Sequence, residues 1–212
     1  MTLRHVCRAG AVGLVLTGLF AAAAPASAAA VAMGTGTAGS VDMVLDEEPV
    51  TVEAVAPCQT GGVPSGDSGG VAVSGVVQYG ESTSTCTLDP ASGVASVEVS
   101  GEKFRLEEIE SAGVPRLKIT RFAARCQTTG TGSNASFQVT GLSGVDVPEQ
   151  IPPNYTVTFP GATLVINETI IPEPADGSLS MNVLHLRLNP TAADPSGGDV
   201  VVGAVHCDPS PS

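Results

Sequence analysis

The chain has 212 residues, with 21 acidic against nine basic side chains, no tryptophan and two tyrosines. A balance this acidic excludes nucleic acid and anionic lipid or wall polymers as partners of the bulk surface. The scarcity of aromatic rings disfavours sugar-binding platforms and single-strand grooves, which stack their ligands on such rings.

The first 28 residues read as a secretory signal peptide. Arg4, His5 and Arg8 form a positive n-region, Ala11–Ala24 is an apolar run of h-region length, and Ala26-Ser27-Ala28 fits the small-residue rule for cleavage between Ala28 and Ala29. The run is too short to anchor the protein across a bilayer. Cleavage leaves 184 residues, room for one sizeable domain. Two basic residues go with the signal, so seven remain against 21 acidic ones, a net charge of −14 with histidine neutral. Cys7 is also lost. Cys58, Cys86, Cys126 and Cys207 remain, an even set bound for a compartment in which disulfides persist.

Ala29–Ser40 is small and uncharged and reads as a flexible leader. From Val41 the pattern is of short strands, at Val41–Leu45, Val50–Ala54, Val71–Gln78, Val94–Ser100, Phe104–Ile109, Arg116–Cys126, Ser136–Thr140, Tyr155–Phe159, Ala162–Asn167, Leu179–Leu188 and Asp199–His206. Most are rich in β-branched residues and separated by Gly, Pro, Asn, Asp or Ser clusters. Alternation is clearest at Tyr155–Phe159 and over Leu184, Leu186 and Leu188, which share a face opposite Met181, Val183, His185 and Arg187. No window after the signal keeps a helical period, and 25 Gly and 16 Pro oppose helices; Leu106–Ser111 has room for one turn. The expectation is a single all-β domain over 41–207, a sandwich or barrel of about ten strands, with a short tail at 208–212.

Gly66-Asp67-Ser68-Gly69-Gly70 matches the surroundings of the nucleophile in trypsin-like serine proteases, and Cys58 and Cys86 bracket it. That chemistry requires a histidine to take the serine proton and a carboxylate to orient it. In the protease order both precede the serine, yet no histidine lies between Ala29 and Asp67. A different triad would have to recruit His185 or His206. A Gly/Ser-rich turn between strands accounts for the same five residues without chemistry.

His185 is expected on the polar side of its strand as a hydrogen-bonding group. His206 adjoins Cys207, and no metal-ligand spacing of Cys or His occurs. Asp46-Glu47-Glu48 lacks the spacing of a calcium loop and reads as solvated charge. Asn134, Asn154 and Asn167 stand in glycosylation tripeptides to which no role is assigned. Six of the seven remaining basic residues lie between Lys103 and Arg125, where pairing with Glu102, Glu107, Glu108 and Glu110 is expected.

Four cysteines allow three connectivities. Cys58 with Cys86 closes a short loop around the Gly-rich turn, and Cys126 with Cys207 joins the ends of two strand-like runs. This is the favoured pairing.

Ser178–Leu188, a polar loop and then Gly198-Asp-Val-Val-Val-Gly-Ala-Val-His-Cys207 resemble the closing pattern of the choice-of-anchor P proteins, secreted actinobacterial proteins of unassigned activity. Ile119–Cys126, Asn154–Phe159 and Val165–Glu168 are similar to the preceding part of that pattern. The resemblance implies a shared domain followed by a variable, anchoring tail. Here Asp208–Ser212 carries no sorting motif, apolar span or basic end, so release into the medium is expected.

The sequence thus reads as a secreted, non-enzymatic β-sandwich protein with a structural or binding role at or outside the cell envelope, extracellular or loosely wall-associated. Its expected partner is a protein or envelope component, with no cofactor and no transmembrane anchor. The alternatives are an extracellular serine hydrolase using Ser68 and a calcium or small-ligand module using the acidic surface.

Overall fold

A computed structural model describes residues 31–45, 47–190 and 196–209. The signal peptide and its Ala28–Ala29 junction lie outside them, as do Asp46 and residues 210–212. The described strands are β1 (Met33–Leu45), β2 (Glu48–Val55), β3 (Cys58–Gln59), β4 (Ser65–Ser68), β5 (Val71–Val73), β6 (Val77–Tyr79), β7 (Ser82–Leu88), β8 (Ala95–Leu106), β9 (Leu117–Thr128), β10 (Ser133–Thr140), β11 (Tyr155–Phe159), β12 (Ala162–Ile170), β13 (Leu179–Leu188) and β14 (Gly197–Asp208). A 3₁₀ turn at Glu110–Ala112 overlaps the end of Leu106–Ser111, the segment expected to allow a helical turn.

The strands form two antiparallel seven-stranded sheets packed as a sandwich. Sheet A runs β11-β12-β13-β14-β1-β2, with β3 also pairing β1. Sheet B runs β10-β9-β8-β6-β5, with β7 pairing β8 and β4 pairing β7. The core lies between them and includes Met43, Val97, Val99, Phe104, Leu117 and Leu186. Tyr79 lies in it with its ring centroid 5.1 Å from that of Phe104. Its hydroxyl donates toward the backbone oxygens of Val201, at 2.8 Å, and Ser40, at 3.1 Å. Burial pushes the Tyr79 phenol pKa up, outweighing the hydrogen bond to Ser40, so the hydroxyl remains a donor.

Both disulfides cross between the sheets in the favoured pairing. Cys58 on β3 joins Cys86 on β7, and Cys126 on β9 joins Cys207 on β14, with Cα separations of 5.6 and 6.0 Å.

The structure corrects several boundaries. Residues 33–40, expected as flexible leader, are the first half of β1, which pairs with β14 through Met33↔Asp208 to Val44↔Gly197. The small residues are there for packing: a Cβ on Gly34 would come within 2.5 Å of Val97, and one on Gly36 within 2.7 Å of Val97 and Val99. These glycines let sheet B approach the β1 backbone. The run Val71–Gln78 is two strands, β5 and β6, paired with each other across Gly75 at φ 77°. Two expected strands are instead one, β8, continuous through Lys103 at φ 54°. β7 was not anticipated, because its inward positions are Ser82, Ser84 and Cys86 rather than large apolar groups. Asp208, assigned to the tail, ends β14, and Pro209 is buried.

Candidate functional site

Three strands of sheet A build a charged cluster on its outer face. Antiparallel pairing brings Glu168 opposite Asn182, His185 opposite both Val165 and Val201, and Arg187 opposite Asp199. Strict alternation would place Asn182 and His185, three residues apart, on opposite faces. They share a face because the alternation breaks between them. Val183 and Leu184 are both fully buried, so Met181 and Val183 face the core with Leu184, Leu186 and Leu188. This corrects the expectation that Met181 and Val183 oppose the leucines. The break lies in a row that crosses the sheet at Ala38, Gly203, Val183 and Asn167, where ladder partners are missing although the register on either side is unchanged. Gly203 at φ 64° and Asn167 at φ 56° supply the left-handed backbone at that row.

The Glu168 carboxylate is almost completely buried, its side chain 6% exposed. It accepts hydrogen bonds from Asn182 Nδ2 at 2.6 Å, from His185 Nδ1 at 2.7 Å and from Arg187 Nη2. The other His185 nitrogen, Nε2, lies 2.8 Å from Asp199 Oδ1. Burial pushes the Glu168 pKa up, but the hydrogen bonds from His185 and Asn182 and the charges of His185 and Arg187 outweigh it and hold the carboxyl below its ordinary range. For His185, burial acts downward, and the two carboxylates together raise the imidazole above its ordinary value. A histidine held between two carboxylates donates from both ring nitrogens, so in its charged form neither is available as a base or a metal ligand.

Asn182 connects this cluster to a groove of about 450 Å³ on the same face. Its floor includes Thr35, Thr37, Ser180, Ala204 and His206, and Pro57 and Val63 stand at its side. His206 Nδ1 hydrogen-bonds Ser180 Oγ at 2.9 Å.

Ser68 is elsewhere. It ends β4, a strand paired with β7 at Ser68↔Ser82, rather than lying in a turn. Its Oγ accepts a hydrogen bond from the Gly70 amide at 3.2 Å, and among the described residues neither His185 nor His206 bonds it. Glu47 and Glu48 are exposed at the β1–β2 turn, and no group of three or more His, Cys, Asp or Glu among the described residues could hold a metal ion. Of the three glycosylation asparagines, Asn167 is buried, with Nδ2 donating to the Ile151 oxygen.

The basic stretch lies on sheet B, where Arg121 pairs with Glu102, Arg125 with Glu98, and Arg105 and Arg116 with Glu107. Glu102 and Glu107 are the expected partners; Glu98 takes a place expected for Glu108 or Glu110. The outer face of this sheet is therefore a lattice of ion pairs, most of them cross-strand, and hydroxyls, with Arg125 and Glu98 between two shallow grooves of about 540 and 570 Å³.

The cluster residues Glu168, Asn182, Arg187 and Asp199 were not identified from sequence. Their only signal is a set of polar side chains within otherwise apolar strands, and placing them together requires the strand register. Comparison of the chain with known protein families, curated proteins and solved structures finds no match.

Proposed function

We propose that this is an exported, non-enzymatic binding or structural protein acting at or outside the cell envelope, and that it is a choice-of-anchor P relative. The observation that carries the export reading is the pair of disulfides joining the two sheets of one domain, a construction that is typical of oxidising compartments and rare in the cytosol. The leading signal-like segment agrees with it, and among the described residues no helix is long and apolar enough to cross a membrane. The binding face is the outer side of sheet A, where the groove adjoins the Glu168–His185 cluster. The non-enzymatic reading is supported by Ser68, which ends β4 with its Oγ accepting from the Gly70 amide and, among the described residues, is bonded by neither His185 nor His206.

Fractionation of cells expressing the tagged chain, with a non-reducing peptide map, tests both parts. The expected result is a processed chain beginning at Ala29, found in medium or wall fractions, carrying Cys58–Cys86 and Cys126–Cys207. A reduced, unprocessed chain in the cytosol would refute export. Labelling of Ser68 by an active-serine phosphonate would refute the non-enzymatic assignment in favour of the hydrolase.

A further inference from the structure

The two flanks of the sandwich are finished differently. On the flank of β2 and β3 the sheets are joined by the Cys58–Cys86 disulfide and by Ser84 Oγ donating to the Ala56 oxygen at 2.5 Å. The edges there are short or guarded: β4 and β5 have four and three residues, and β2 carries Glu48, Pro49 and Glu53. The opposite flank exposes β10. This edge strand has eight residues, Ser-Asn-Ala-Ser-Phe-Gln-Val-Thr, with no charge and no proline. It pairs with β9 along its whole length, and among the described residues its other side has no backbone partner. Native edges of this length normally carry a charge, a bulge or a proline that prevents further pairing. The neighbouring edge strand β11 is shorter, five residues set between Pro153 and Pro160.

A second observation points to the same flank. Ten of the 14 apolar residues that pack on the core while staying partly exposed fall between Ala135 and Phe159. The inward positions of β10, among them Phe137 and Val139, are only half-buried, whereas their counterparts on β9, Phe122 and Ala124, are buried. The core is open beneath this edge.

We propose that β10 is a dimerisation edge that pairs antiparallel with β10 of a second copy of this chain, making one continuous sheet and covering the half-exposed flank. The chemistry favours self-pairing. The molecule is strongly acidic, so copies repel, yet this segment brings no charge to the contact. Across the proposed dyad the nearest charged strands, β9 and its copy, lie about three strand spacings apart, roughly 14 Å, beyond the screening length at physiological salt. Antiparallel pairing of a strand with its own copy is isologous and closes at two chains. Because opposed residues must face the same side, the dyad passes through a residue, Ser136 or Phe137, and pairs residues 133–139 or 134–140 with their copies.

Sedimentation of the purified chain provides the test. The expected result is a dimer at high concentration. Ser136→Glu with Gln138→Glu, both at exposed outward positions, sets like charges opposite each other in either register and should give a monomer with an unchanged circular dichroism spectrum. Mixing that variant with Ser136→Lys, Gln138→Lys should restore the dimer as a heterodimer, which a misfolded variant cannot do. Thr156→Glu with Thr158→Glu on β11 should leave the dimer intact. The proposal is overturned by a wild-type monomer at every concentration up to the solubility limit. It is equally overturned by a dimer that survives the β10 charges, or by one that dissociates only with the β11 pair.

Discussion

Removing the Cys126–Cys207 bridge should destabilise the protein more than removing Cys58–Cys86, although the second lies near the protease-like motif and the first does not. The bridges span 81 and 28 residues of chain. In the loop-entropy treatment of the unfolded state these lengths correspond to about 4.5 and 3.6 kcal/mol at room temperature, against a total stability of about 5–15 kcal/mol for an ordinary domain. All four cysteines are 4% exposed or less, so truncation to alanine removes similar packing from each pair and the difference of about 1 kcal/mol isolates the chain term. The measurement is urea unfolding of Cys126→Ala/Cys207→Ala and Cys58→Ala/Cys86→Ala, followed by far-ultraviolet circular dichroism because the chain has no tryptophan. Both variants should show steeper denaturant dependence, since the unfolded chain expands once a cross-link is gone. Equal losses, or a larger loss for the Cys58–Cys86 variant, would show that local strain or residual structure governs these bridges and would refute the argument from loop length.

The Glu168–His185 cluster gives stability a pH dependence of defined sign. His185 is raised, so its contribution is complete below the ordinary histidine value of 6.5 and is lost as pH climbs through the folded value; Glu168 is lowered, so its contribution is present above 4.5 and is lost as pH falls through the folded value. The stability difference between wild type and His185→Gln should therefore be widest between those two values, and a difference independent of pH in urea titrations would contradict it. Tyr79→Phe leaves the Ser40 and Val201 oxygens without their buried donor and should cost about 1–3 kcal/mol; a midpoint shift within error would mean that another group satisfies them. Gly203→Ala forces a left-handed conformation costing about 1–2 kcal/mol and places a Cβ 2.7 Å from Val183, so its melting temperature should drop, whereas an unchanged one would show that the row can relax.

The fold class was legible because β-branched runs and turn residues recur along the chain. The disulfide pairing was legible because Cys126 and Cys207 end strand-like runs. The missed strands β7 and the first half of β1 share one cause, a packing role carried by small residues. Gly34 and Gly36 look like linker because they have no side chain, and they have none because Val97 and Val99 occupy that space. Ser82 and Ser84 look like loop, yet both are buried, and Ser84 satisfies its hydroxyl on the Ala56 oxygen. Local composition cannot separate a glycine that frees the backbone from one that admits a neighbouring sheet.

The candidate site shows the same principle at the level of pattern. Period-two reading divides β13 into two faces and assigns His185 to the one with Met181 and Val183. The division fails at a single row, where Gly203 and Asn167 take left-handed backbone and the facing of every later residue is reversed. That reversal keeps both halves of β13 buried on their core side. It also places Asn182 and His185 together over Glu168, so a buried carboxylate gains three donors where a regular strand could have supplied only His185 and Arg187 from one face. Left without them, the carboxylate would be protonated or the strand displaced, because an unpaired buried charge is far costlier than two left-handed residues. The interruption and the cluster therefore stand or fall together. A change at Gly203, which touches no charged group of the cluster, should perturb the His185 titration as well as the stability.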